Sequence, residues 1–238
     1  MSGRTVKKEV LRLLAGDDLE KIRSTLAAMD PAEVLHGLFS GICSSDERLH
    51  WNSVACMGPV VARLAERDME EARIVMRRLL WSLNDESGGI GWGAPETMAE
   101  IMVHHRGLAE EYIHMLISYM REDGEELHQD GNFLEHEVLQ RGLLWGIGRL
   151  AQTRPGMLRE RNVQGDLSQY LESNDPGVRG LAARAAGLLG VEEAADRLIP
   201  LLEDTRSVRF LEEDEIRQYA VGELAGQALQ RLAGERVK

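Results

Sequence analysis

Laid on itself with an offset of 41 residues, the chain repeats a helix-sized apolar pattern: Val34, Leu35, Leu38, Phe39 and Ile42 fall on Val75, Met76, Leu79, Leu80 and Leu83. The match runs on through Leu49 over Ile90, Trp51 over Trp92 and Met57 over Met98, so a helix, a turn and a second helix recur together. A helical hairpin of this kind has one apolar side and cannot bury it alone, so neighbouring copies must stack to close a core. Further copies follow. An offset of 40 lays Val138 on Val178, and Gly142 and Gly146 on Ala182 and Ala186; an offset of 38 lays Val178-Arg179 on Ile216-Arg217 and Ala182 on Ala220.

Within each copy the apolar residues recur at steps of three and four, the period of one helix face. No comparable stretch alternates with period two. Asp30-Pro31 and Asp175-Pro176 each join an N-cap acid to a proline in the first turn, which marks two helix starts. The expected organisation is a single all-α domain over residues 1–238. Residues 1–29 form N-terminal capping helices, and residues 30–234 form about five helical hairpins, near 31–66, 67–106, 107–154, 157–190 and 191–234. Small residues at Gly142, Gly146, Ala182, Ala186 and Gly190 allow close helix approach at the stacking face.

One copy carries a more specific pattern. Asp175-Pro176-Gly177-Val178-Arg179, then Ala182-Ala183, Ala185-Ala186 and Leu189-Gly190, resembles the HEAT-like repeat of the phycobilisome-lyase (PBS-lyase) type. Leu198, Leu201, Leu202, Asp204, Ile216-Arg217 and Ala220 resemble the next copy, interrupted by an insertion, so the resemblance spans residues 167–234. It implies an armadillo-type, right-handed α-α superhelix, a HEAT-like α solenoid whose second helices line the concave side. Such repeats serve as partner-binding scaffolds, as bilin-lyase subunits and in some enzymes, so activity must be argued from the site. His136-Glu137-Val138 also resembles the His-Glu motif of deoxyhypusine hydroxylase, whose family holds two irons with several such pairs. Here there is one pair; the equivalent positions read His50-Trp51, Ile90-Gly91-Trp92, Val178-Arg179 and Ile216-Arg217, so most ligands of a di-iron centre are missing.

Charge is unevenly placed. Residues 84–137 hold 13 acidic side chains against Arg106 and Arg121, which accounts for nearly all of the net charge of -12. Such a segment attracts cations or basic partners and repels polyanions. With 5% aromatics as well, the chain does not read as a nucleic-acid binder. Apolar runs are too short to cross a bilayer, and no secretory apolar segment opens the sequence, so a soluble cytoplasmic protein without membrane contact is expected. Cys43 and Cys56 form no CxxC pair and read as buried thiols, with neither a disulfide framework nor a thiolate zinc site.

Departures from the repeat locate the candidate site. Three intra-hairpin turns are long, at Asn84–Gly93, Arg121–Asn132 and Asp204–Asp214, and in a solenoid such loops share one edge. The first holds Asp85, Glu86, four glycines and Trp92. It has no preceding strand, no GxGxxG spacing and no Gly-Lys-Ser/Thr, so it is not a phosphate loop. Ala94-Pro95 then starts a helix on which Glu96, Glu100 and His104 stand one turn apart. Like charges at that spacing disfavour a helix, so a compensating cation, ligand or water shell is expected. In the third hairpin, Glu137, Arg141, Trp145 and Arg149 form a stripe beginning beside His136; Glu137 to Arg141 is a favourable helical pair, and Trp145 is either core or an apolar anchor.

The expected function is a non-enzymatic protein-interaction scaffold without cofactor or metal. It binds a protein partner, basic in character, or a second copy of itself, through an acidic concave surface and the loop edge. The binding residues are Asp85, Glu86, Trp92, Glu96, Glu100, His136, Arg141 and Trp145. The alternative is a metal-dependent or lyase-like enzyme using Glu96, Glu100 and His136 or His104 near the Gly-rich loop.

Overall fold

A computed structural model describes residues 3–84, 91–122, 124 and 131–235. By contacts the chain falls into two units, Met1–Tyr112 with Glu213–Ile216, and Ile113–Glu212 with Arg217–Lys238.

The first unit is built from α1 (Gly3–Leu14), α2 (Leu19–Ala27), α3 (Pro31–Ile42), α4 (Glu47–Arg67), α5 (Met69–Leu83) and α6 (Ala94–His104). Aspartates start four of these helices: Asp18, Asp30, Asp46 and Asp68 each accept a backbone N–H of the following first turn. α4 is central, packed against α3, α5 and α6, while α1 lies on α3. Its apolar residues Val54, Met57 and Val61 are fully buried with Val34 and Leu38 of α3 and Met98 and Ile101 of α6. Polar side chains close helix ends. Asn52 donates to the carbonyls of Leu14 and Gly16 at the end of α1, and Arg63 donates to those of Leu26 and Met29 at the end of α2.

α7 (Arg106–Ser118) leads into the second unit, which holds α8 (Glu137–Thr153), α9 (Pro155–Arg159), α10 (Val163–Leu167), α11 (Pro176–Leu189), α12 (Ala195–Leu198) and α13 (Val221–Glu235). Short 3-10 turns at Ser168–Glu172, Glu192–Ala194 and Ile199–Glu203 complete the first helices of the last two hairpins. α11 packs against both α8 and α13. The approach is closest at Gly187, where an added Cβ would stand 2.5 Å from the Cα of Ala228. The motif Asp175 to Arg179 acts as a clamp. Asp175 caps α11 through the N–H of Val178, while buried Arg179 donates to Asp204 and to the carbonyls of Ser173 and Asn174.

The structure corrects the sequence reading in two places. Residues expected to start the last helix, Ile216, Arg217 and Ala220, lie instead in β2 (Glu215–Ala220), which pairs with β1 (Ser207–Glu212) as a two-stranded sheet. Glu213 and Asp214 turn the hairpin with φ of 50° and 66°, the left-handed backbone that a two-residue hairpin connection requires. No proline follows Asp214 to hold a helical first turn. α13 starts later, at Val221, where Glu223 accepts the N–H of Ala220. The second correction concerns the thiols: Cys56 is buried, but Cys43 is exposed at the end of α3. No described helix is long and apolar enough to cross a membrane.

Candidate functional site

α6 carries the acidic stripe, and the structure turns that stripe inward. Every residue from Ala94 to Met102 is buried; α6 sits against α4 and α5, with Met98, Ile101 and Met102 fully buried. Glu96 and Glu100 are therefore not parts of an acidic surface patch, which corrects that expectation. Gly93 starts the helix at a φ of 76°; a Cβ there would lie 2.6 Å from the carbonyl oxygen of Ile42, so the turn admits glycine alone without strain.

Glu96 faces His50 of α4. His50 Nδ1 is 2.8 Å from the Ile42 carbonyl, which can only accept, so Nδ1 carries the hydrogen and Nε2 faces Glu96 Oε1 at 3.8 Å. Glu96 Oε2 is buried without a hydrogen-bond partner. Burial pushes the Glu96 carboxyl up, and His50 opposes that push. One turn on, Glu100 Oε1 is 3.2 Å from His104 Nε2. Gly58 of α4 makes room for this pair, since a Cβ there would stand 2.5 Å from His104 Cδ2. Among the described residues no group of three or more His, Cys, Asp or Glu side chains is placed to hold a metal ion.

Asp85 and Glu86 lie outside the described residues. Trp92 is 40% exposed, with its carbonyl accepting from the Cys43 thiol. In the second unit His136 is the N-cap of α8, accepting from the N–H of Val138. Arg141 grips Asp175 with two nitrogens, tying α8 to the cap of α11. Trp145 is core: it is fully buried and its indole N–H donates to the carbonyl of Leu211 in β1 at 2.8 Å.

Two features escaped sequence reasoning. On α5, Ile74 and Trp81 are 55% and 76% exposed, out of phase with buried Val75, Met76 and Leu79. That phase could have been read from spacing alone. The other is the pairing of buried Arg184 with Glu212, on elements distant in sequence, for which the sequence offers no local signal.

No family model matches the chain, and no curated protein does. Among solved structures it is similar in fold to a designed armadillo repeat protein in complex with the peptide (KR)4, with a TM-score of 0.54 at 17% identity over 96% of this chain and 92% of that one. Two engineered proteins from the Northeast Structural Genomics Consortium are similar too. One has a TM-score of 0.53 at 15% identity over 97% of each chain, and the other 0.54 at 13% over 96% and 98%. The chain has the armadillo/HEAT-like repeat fold. At these identities the likeness speaks for the fold alone. The PBS-lyase type rests only on the motif from Asp175 to Gly190.

Proposed function

We propose that this protein is a non-enzymatic scaffold that holds a basic peptide or protein segment. The observation that carries the reading is the armadillo-type fold, shared along nearly the whole chain with a designed protein in complex with (KR)4. The excess of acid in residues 84–137 suits a basic partner. Contact falls to Asp85, Glu86 and exposed Trp92 in the first unit, and to His136 and Arg141, at the head of α8, in the second. Glu96 and Glu100 of the first unit and Trp145 of the second are buried and do not touch the partner. The Asp175–Gly190 motif supports a repeat of the PBS-lyase type. The metal-dependent alternative lacks a three-ligand group among the described residues.

Calorimetric titration of the full chain with (KR)4 tests the reading. Binding should weaken as salt is raised. Asp85→Asn with Glu86→Gln, and separately Trp92→Ala, should each weaken it by about tenfold. Absence of binding at low salt, or binding indifferent to both variants, overturns the basic-partner assignment.

A further inference from the structure

The outer face of α5 carries apolar side chains that the core does not use. Ala72, Val75, Met76 and Leu79 are buried on the inner face, whereas Ile74 and Trp81, two turns apart, stand in solvent with exposed Arg78 between them on the same stripe. An indole and an isoleucine aligned in this way contribute little to folding and mark a contact surface. All of α5 lies in the first unit, as does α3 beside it.

The arginines of α5 differ from one another. Arg73 meets Glu111 at 2.7 Å and Arg77 meets Glu70 at 2.5 Å. Arg78 has no carboxylate within ion-pair distance among the described residues; instead its guanidinium carbon lies 3.8 Å from the ring centre of half-buried Phe39 of α3. A guanidinium held this close over a ring uses its face for the contact and leaves N–H groups on its edge for an acceptor. The ring therefore fixes where the charge stands, and no acid of the described chain neutralises it. Apolar surface on either side of a positioned, uncompensated cation is complementary to an acid flanked by apolar groups.

The same stripe argues against a second copy as its occupant. Two copies of α5 laid antiparallel so that Ile74 of each meets Trp81 of the other would set Arg77 of one against Arg78 of the other, a like-charge contact at the centre of the pair.

We propose that Ile74, Arg78 and Trp81 of α5, with Phe39 of α3, form a docking surface for a protein segment that carries an Asp or Glu between apolar side chains. Tryptophan and arginine are the residue types that most often dominate binding at protein interfaces, and here they adjoin on one stripe. The inference does not rest on the basic-partner reading, which concerns the other sign of charge and other residues.

Selection of a displayed random dodecapeptide library on the immobilised full chain, followed by fluorescence anisotropy of the enriched peptides at ~150 mM salt, tests the assignment. Enriched peptides should combine Asp or Glu with aliphatic or aromatic residues. Trp81→Ser and Arg78→Glu should each weaken their binding by about tenfold or more while leaving the melting temperature nearly unchanged. Changing the peptide's acid to lysine should restore binding to Arg78→Glu. A library that yields no enrichment, or peptides that bind both variants as tightly as the parent, overturns the proposal. So does sedimentation that finds a dimer of the chain dissociated by Trp81→Ser, which assigns the surface to a second copy. The (KR)4 titration on the same preparation reads the basic-partner assignment separately.

Discussion

At the residue scale the most informative group is Glu96. Its folded carboxyl is raised by burial, so on a rise in pH the unfolded chain loses the proton first, near the ordinary glutamate value of about 4.3. Stability from this residue is therefore present in full below that value and is lost as pH climbs through the raised folded value. Glu96→Gln removes the titration and offers an amide donor to His50 Nε2. Urea denaturation should find the variant more stable than the parent at pH 7 and no more stable at pH 4. Equal effects at the two pH values would mean that Glu96 is not desolvated. The helical spacing of Glu96, Glu100 and His104 was legible in the sequence. Their inward direction was not, because reading outward from charge assumes acids stay solvated, and here His50, His104 and the small Gly58 of a neighbouring helix accommodate them.

At the element scale the stacking of α8, α11 and α13 sets the terms. Gly187 meets the backbone of Ala228, which cannot give way, so Gly187→Ala should cost about 1–3 kcal/mol by overpacking. Gly156, in α9, has open space around its would-be Cβ; Gly156→Ala should be stabilising by about 0.4–1 kcal/mol through the unfolded chain. Chemical denaturation of the pair checks the register, and a neutral Gly187→Ala would show that α11 and α13 stand further apart. Ala186, legible from the repeat as a stacking position, is fully buried. The sequence misled at β1 and β2. Val208 and Phe210 do alternate with exposed Arg209, but over too few residues to stand out, and Ile216-Arg217 imitates Val178-Arg179 while lacking the Asp-Pro start that sets α11.

At the scale of the whole molecule, the repeat was legible because each hairpin writes its apolar face into the chain at a near-constant interval. The electrostatics were legible only as a total. Of the acids in residues 84–137, Glu96 and Glu100 are buried, while Glu110 and Glu111 meet Arg106 and Arg73 at 2.8 and 2.7 Å. The other acids of the segment are Asp85, Glu86 and those from Glu122 to Glu137. If these acids repel one another in the folded chain, screening should relieve the strain. At ~10 mM salt the screening length is about 30 Å, and at ~150 mM it is about 8 Å. The melting temperature should therefore rise between those conditions, and Asp85→Asn with Glu86→Gln should reproduce part of the rise at low salt and diminish the further gain from added salt. Differential scanning calorimetry of the two proteins in both buffers gives the comparison. A melting temperature that falls with salt would show the reverse balance, in which ion pairs such as Arg73 with Glu111 outweigh the repulsion of the acidic segment.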